Sequence, residues 1–144
     1  MTEQKIIKGS CLCRKIRYQI TGARVLGLIC HCNNCRKSSG SAFLASSYYV
    51  KSQVRILEGG EMIRVFEDER TASGNVLNRS FCSNCGSSLF LARSVNGIPG
   101  DAVFVSSGTM DLDGEEWVPT KEVWCKDRYS WLHPFHNTDT KSTM

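Results

Sequence analysis

Apolar residues along the chain come in short stretches separated by turn signals, the pattern of an all-β protein. From Lys15 to Ile20, apolar Ile16, Tyr18 and Ile20 alternate with polar residues, and the run closes at Gly22. A period of two marks a strand with one buried face. Ala42 to Val50 is aromatic-rich and reads as a strand. Val54 to Leu57 runs into Gly59-Gly60 and is followed by Met62 to Phe66, which predicts a hairpin. Val76 to Phe81, Ser88 to Ala92, Val103 to Ser106 and Glu122 to Cys125 continue the strand series, with Asn96-Gly97 and Asp113-Gly114 as turns. One short helix is predicted from Asn33 to Ser39, stopped by Gly40. The polar tail from Asn137 to Met144 is expected to fray. The expectation is a single domain over residues 1–144 with its core from about residue 6 to 133. Several small antiparallel sheets and one short helix would build it.

Eight cysteines among 144 residues change this picture. The longest apolar run, Val25 to Cys30, is far too short for a membrane helix. The opening residues MTEQKIIKGS lack the apolar core of an export signal. A soluble, cytoplasmic protein is therefore expected, with no membrane partner. In that compartment thiolate metal ligands are a better reading than disulfides. Seven cysteines fall in three clusters: Cys11-x-Cys13, Cys30-x-Cys32-x-x-Cys35 and Cys82-x-x-Cys85. Residues i and i+2 of an extended segment share a face, and a CxxC turn also aims two sulfurs one way. Gly86 after Cys85 can take a positive φ that brings backbone N–H groups to the sulfurs.

A closed structural zinc site takes four ligands, and a catalytic one takes three plus an exchangeable position. Joining the first and third clusters completes a set of four, Cys11, Cys13, Cys82 and Cys85. Cys30, Cys32 and Cys35 remain as an open set of three. The alternative is two closed sites, the second completed by Cys125, His31, His133 or His136. His31 lies between two candidate ligands and should face away from them. Cys125 is expected on a strand, its sulfur turned inward with Val123 and free of metal. Seven thiolates against two Zn²⁺ would remove three of the four net positive charges. A nucleic-acid partner is therefore not expected.

The segments GSCLCRKIRY (Gly9 to Tyr18), CHCNNCRKSSGSAF (Cys30 to Phe43), RSFCSNCGSSLF (Arg79 to Phe90) and VSSGTMDLDG (Val105 to Gly114) carry a family resemblance. A weaker match runs from Pro119 to Leu132. The chain resembles the glutathione-dependent formaldehyde-activating family, whose fold is similar to the zinc-binding Mss4-like arrangement of small β-sheets. The resemblance implies two zinc ions per chain. One is structural, on Cys11, Cys13, Cys82 and Cys85, and one is catalytic, on Cys30, Cys32 and Cys35. It further implies glutathione as a cosubstrate. The chain departs from the family at Glu122, where members often carry His in a Pro-x-x-His segment.

A zinc held by three thiolates is a weak Lewis acid toward water but well suited to lowering the pKa of a bound thiol. The expected activity is that of a carbon–sulfur lyase or synthase acting on a thiol–aldehyde adduct. By resemblance its partners are glutathione and a formaldehyde-like aldehyde. Arg36 and Lys37 follow the last ligand and are candidate glutathione contacts, or else a solvated pair ending a short helix. Arg79 reads as structural. Trp117, Trp124 and Trp131 are candidate pocket walls or ordinary core and rim. Asp111 to Glu116 resembles a calcium loop only in composition and reads as a solvated turn. The alternative function is a non-catalytic, zinc-stabilised binding module, a role in which an open three-ligand site serves no purpose.

Overall fold

The computed structural model describes residues 3–144. Among these residues the chain forms twelve strands and one α-helix. They are β1 (Ile6–Ser10), β2 (Arg17–Thr21), β3 (Leu26–Cys30), α1 (Asn33–Ser39), β4 (Leu44–Val50), β5 (Val54–Glu58), β6 (Ile63–Asp68), β7 (Val76–Cys82), β8 (Ser88–Val95), β9 (Ile98–Ser106), β10 (Met110–Asp111), β11 (Lys121–Val123) and β12 (Asp139–Thr140). A four-stranded antiparallel sheet has the order β10-β1-β2-β5, and an eight-stranded sheet the order β12-β11-β3-β4-β9-β8-β7-β6. The all-β expectation holds. The larger sheet is mixed, because β11 runs parallel to both β3 and β12. No helix among the described residues is long and apolar enough to cross a membrane.

Two apolar clusters organise the molecule. The first contains Ile16 just before β2, Tyr18 and Ile20 of β2, Tyr49 of β4, Leu89 and Phe90 of β8, and Val103 and Val105 of β9. The alternation in Lys15 to Ile20 thus marks a buried face, and all three apolar residues on it are fully buried. Tyr18 meets Phe90 edge-on at 5.2 Å, and its hydroxyl lies 2.7 Å from the Thr109 hydroxyl. The second cluster gathers Leu44, Leu91, Val123 and Trp124, with Leu28 and Phe104 packed against it. Phe104 joins the second cluster and its neighbours Val103 and Val105 the first, so β9 feeds both cores from opposite faces.

The helix spans the predicted residues. Cys32 is its N-cap, with its sulfur accepting from the Cys35 N–H, and Gly40 closes it in a left-handed conformation. The Asn96-Gly97 turn is also present, both residues having positive φ (52° and 74°) between β8 and β9.

Three expectations fail. Val54 to Leu57 and Met62 to Phe66 do not pair as a hairpin. β5 pairs with β2 in the smaller sheet, while β6 pairs with β7 in the larger one. Gly59 (φ +75°) leads into a single 3₁₀ turn, Gly60–Met62, that carries the chain from one sheet to the other. The strand predicted from Glu122 to Cys125 stops at Val123, because Trp124 takes a left-handed conformation (φ 56°) and Cys125 opens a 3₁₀ turn. The tail does not fray. β12 pairs with β11, and the amides of Trp124, Cys125 and Lys126 donate to the carbonyls of Thr143, Lys141 and Ser142. Backbone pairing, invisible in a polar composition, holds it.

Gly59 is the joint on which the two-sheet arrangement turns. A Cβ there would lie 2.1 Å from the Lys15 carbonyl oxygen, whereas one at Gly74 (φ +82°) meets nothing within 4 Å. Both positions strain an L-residue, but only Gly59 adds a backbone clash. Gly74→Ala is expected to cost about 1–2 kcal/mol in urea denaturation and Gly59→Ala at least ~2 kcal/mol more. Equal costs would mean that the β5–β6 crossover relaxes freely.

Candidate metal centres

Cys11 and Cys13 lie in the turn after β1, while Cys82 ends β7 and Cys85 lies in the turn between β7 and β8. The first turn is not the extended segment the CxC spacing suggests, yet its two sulfurs are 3.5 Å apart. Cys13 Sγ lies 3.9 Å from Cys82 Sγ, and all four sulfurs fall within 4.8 Å of one another. A tetrahedral zinc with Zn–S bonds of ~2.3 Å needs sulfurs about 3.8 Å apart, so this set fits the ion. Both turns aim backbone donors at sulfur. The Ile16 N–H reaches Cys11 Sγ at 3.4 Å, and the Cys85 N–H reaches Cys82 Sγ at 3.5 Å. Gly86 (φ 77°) closes the second turn, its N–H bonding the Cys82 carbonyl at 2.8 Å. Burial pushes the Cys11 thiol pKa up, while hydrogen bonds from the Ser87 hydroxyl and from backbone groups pull that of Cys85 down to about 5.

Cys30 ends β3, Cys32 caps α1 and Cys35 sits in its first turn. All three are buried in the second core, and their sulfurs lie within 4.8 Å of one another. Among the described residues, no fourth cysteine, histidine or carboxylate joins this group. Hydrogen bonds from the Cys30 and Cys35 thiols, the Cys35 N–H and the Arg79 charge favour a thiolate at Cys32. The same sharing, together with burial, pushes Cys30 up. Three sulfurs this close do not all carry charge unaided, and a divalent cation could replace their protons. The donor set, all soft sulfur, suits zinc.

The three sulfurs form part of the lining of a cavity of ≈ 70 Å³. Leu28, Leu44, Leu91, Phe104, Val123 and Trp124 supply apolar wall, and Arg79 and Arg93 are its cations. Arg79 Nη1 lies 4.0 Å from Cys35 Sγ, and Arg79 Nε donates to Asp68 Oδ2 at 2.9 Å. Asp68 is held below the ordinary carboxylate pKa despite its burial, because Asn34 and Arg79 donate to it.

A model of the glutathione-dependent formaldehyde-activating enzyme family matches residues 6–127. The chain belongs to that family. An uncharacterized lyase of Schizosaccharomyces pombe is 32% identical over 88 residues, which is 59% of this chain and 56% of that protein. The chain thus spans little more than half the length of this curated relative. The crystal structure of a Rhodobacter sphaeroides protein aligns with a TM-score of 0.54 at 18% identity, covering 76% of this chain and 90% of that one. That likeness concerns the fold.

The other residues singled out in this family member take varied places. Arg36 does not line the cavity over the three sulfurs. Its guanidinium donates to the carbonyls of His31 (3.0 Å) and Asp127 and lies over the Tyr129 ring at 4.6 Å. Lys37 is exposed and lines a separate open cleft. Trp124 walls the cavity, Trp117 donates to Ser47 Oγ at 2.8 Å in another depression, and Trp131 is exposed. His133 and His136 are exposed, and Asp113-Gly114 forms a solvated turn. Cys125 is half-buried rather than turned inward with Val123, because the 3₁₀ turn breaks the alternation. Its pKa is raised by burial and by the Glu122 charge.

His31 and Glu122, both fully buried, form a pair at 2.9 Å, with Cys125 close by. The Glu122 carboxylate also accepts from Arg128 Nη1, the Phe135 N–H and Thr138 Oγ1. With His31 these donors join the residue after β3, β11 and the C-terminal segment, and they mark Glu122 as the anchor of that segment. The sequence reading took Arg79 as structural and singled out none of its neighbours Asp68, Ser38 and Arg93. The available signal was periodic: Leu77 and Arg79 share one face of β7.

Two predictions follow from this geometry. Cys82→Ser is expected to unfold the protein or render it insoluble, whereas Cys32→Ser should leave a folded chain with one zinc instead of two by metal analysis. The reverse pattern would exchange the roles of the two clusters. Glu122 has a depressed pKa although burial alone would raise it, because His31, Thr138 and the Phe135 N–H stabilise its charge. A depressed carboxylate contributes stability above its ordinary value of 4.5 and loses it as pH falls through the folded value. Glu122→Gln is therefore expected to speed amide exchange at Trp124, Cys125 and Lys126 at pH 7, and to flatten the acid limb of stability. Unchanged exchange at those amides would show that the tail is held without Glu122.

Proposed function

We propose that the three-sulfur site makes or breaks a carbon–sulfur bond between a thiol and a small aldehyde, with glutathione as the thiol and formaldehyde as the model carbonyl. The observation that carries this reading is the set of three cysteines with no fourth protein ligand among the described residues, facing a small apolar cavity. Family membership and the lyase name of the yeast relative support it at the level of reaction class. Zinc bound by Cys30, Cys32 and Cys35 would lower the pKa of a thiol taken up at its open position.

The chain's own residues supply the rest. Leu28, Leu44, Leu91 and Phe104 exclude water from the reacting atoms. Arg79 and Arg93 offset the negative charge of the sulfurs. A cavity of ≈ 70 Å³ admits an aldehyde of one or two carbons but not a tripeptide. The body of glutathione would lie in the adjoining open cleft of ≈ 580 Å³, which shares Asn34 and Arg79 with the cavity. Lys37 and Arg70 line that cleft and are the proposed partners of the tripeptide's carboxylates. Arg36 is committed to backbone carbonyls and plays no part.

Exchange between glutathione and its hydroxymethyl adduct, followed by NMR exchange spectroscopy, tests the reading. The zinc-loaded protein is expected to accelerate exchange at least tenfold with formaldehyde, less with aldehydes of four or more carbons, and not at all as Cys32→Ser. Absence of acceleration with both one- and two-carbon aldehydes would refute it.

A further inference from the structure

We propose that Arg79 is a catalytic residue of the three-sulfur site. The free edge of its guanidinium, at Nη2, would hold the carbonyl oxygen of the substrate as that oxygen gains charge. This inference rests on the carbon–sulfur reading above and goes beyond it by assigning the oxygen.

Arg79 is held from three sides. Nε donates to Asp68 Oδ2 at 2.9 Å, and Nη1 donates to Ser38 Oγ at 3.1 Å and faces Cys35 Sγ at 4.0 Å. Asp68 is fixed in turn by Asn34 Nδ2, at 3.1 and 3.0 Å from its two oxygens, and by the Arg70 N–H at 3.3 Å. The guanidinium is thus locked by α1, β6 and β7 together. Nη2 is buried and has no hydrogen-bond partner. A buried guanidinium N–H without an acceptor is costly, and such groups are few in native proteins. In this case the unpaired donor belongs to a side chain in the wall of the cavity that the three sulfurs line.

Strand register places it there. Arg79 pairs with Leu91 and Leu77 with Arg93 across β7 and β8, so all four side chains share one face, and all four line the cavity. A role in balancing thiolate charge accounts for Nη1 beside Cys35 but leaves Nη2 unexplained. A donor preorganised for a substrate oxygen accounts for Nη2.

In the addition, an electron pair on the thiol sulfur forms the carbon–sulfur bond and the carbonyl π pair moves to oxygen. The thiol gives its proton to bulk solvent as it binds, and the oxygen takes an equivalent proton from solvent as the adduct is released. Nothing is oxidised or reduced, and Arg79 donates a hydrogen bond while keeping its own proton. Cleavage of the adduct runs the same steps backward.

The test compares Arg79→Met and Arg79→Lys with the wild-type protein after confirming two zincs per chain in each. Both variants are expected to lose about 10²–10³-fold in kcat/KM for the aldehyde, with KM for glutathione within threefold. Arg79→Lys separates the roles, because a charge-balancing arginine would be replaced by lysine with wild-type activity, and that result overturns the proposal. If Arg79→Met fails to retain both zincs, Arg79→Lys decides alone. A second readout is calorimetric binding of formate, a one-carbon oxygen acceptor, expected to weaken about tenfold or more in either variant. Unchanged formate affinity also overturns the proposal. Wild-type protein without exchange activity would refute the carbon–sulfur reading itself. Formate binding that still depended on Arg79 would then leave an oxygen site but overturn its catalytic role.

Discussion

Seven sulfurs crowded into two groups, each within 4.8 Å, are the constraint around which the molecule is arranged. Thiolates that close repel one another, and burial raises the cost of each charge. Without a cation the groups share protons, as the opposed shifts of Cys30 and Cys32 indicate. With a divalent cation the same crowding becomes a set of bonds, and metal affinity becomes folding free energy. Each sulfur group sits inside one of the two apolar clusters, so the binding of metal and the packing of each core are coupled.

The eight-stranded sheet sets the two cores apart. β9 feeds Val103 and Val105 to the four-sulfur side and Phe104 to the three-sulfur side. The four-sulfur group ties the turn after β1 to the turn after β7, which join different sheets. The three-sulfur group ties β3 to α1 alone, over a span of six residues. The first group therefore fastens distant parts of the chain, while the second is a local unit placed in the wall of a cavity. Behind it, His31 points away from the sulfurs to Glu122, which secures the C-terminal segment through three further donors, Arg128, the Phe135 N–H and Thr138. The cavity is thereby closed on one side by Trp124 and Met144, both brought in by that segment and its turn.

Much of this was legible in the order of residues. Alternation of Ile16, Tyr18 and Ile20 marked a buried strand face, Gly40 marked the end of the helix, and Asn96-Gly97 marked a two-residue turn. Each is a local signal, set by backbone sterics and side-chain periodicity within a few residues. The clustering of cysteines and the segments from Gly9 to Gly114 pointed to the family for the same reason, since ligand spacing is itself local. The hairpin expected at Gly59-Gly60 shows where local signals end. Two strands beside a glycine turn look alike whether they pair with each other or with different sheets.

Tertiary structure alone decided which partners each strand took, and hence that β5 and β6 part company at Gly59. It alone showed that a polar tail is held by backbone pairing with β11 and by Glu122, because hydrogen bonds between residues far apart leave no periodic trace. Arg79 is the sharpest case. In the sequence it is a charge three residues before a cysteine. Only the register of β7 on β8, with α1 and Asp68 closing around it, turns one edge of its guanidinium to a sulfur and leaves the other buried without a partner. Composition and spacing determined the elements and the kinds of ligand. The long-range pairing of strands determined which side chains meet, because contact between distant residues is a property of the packed chain and not of any segment within it.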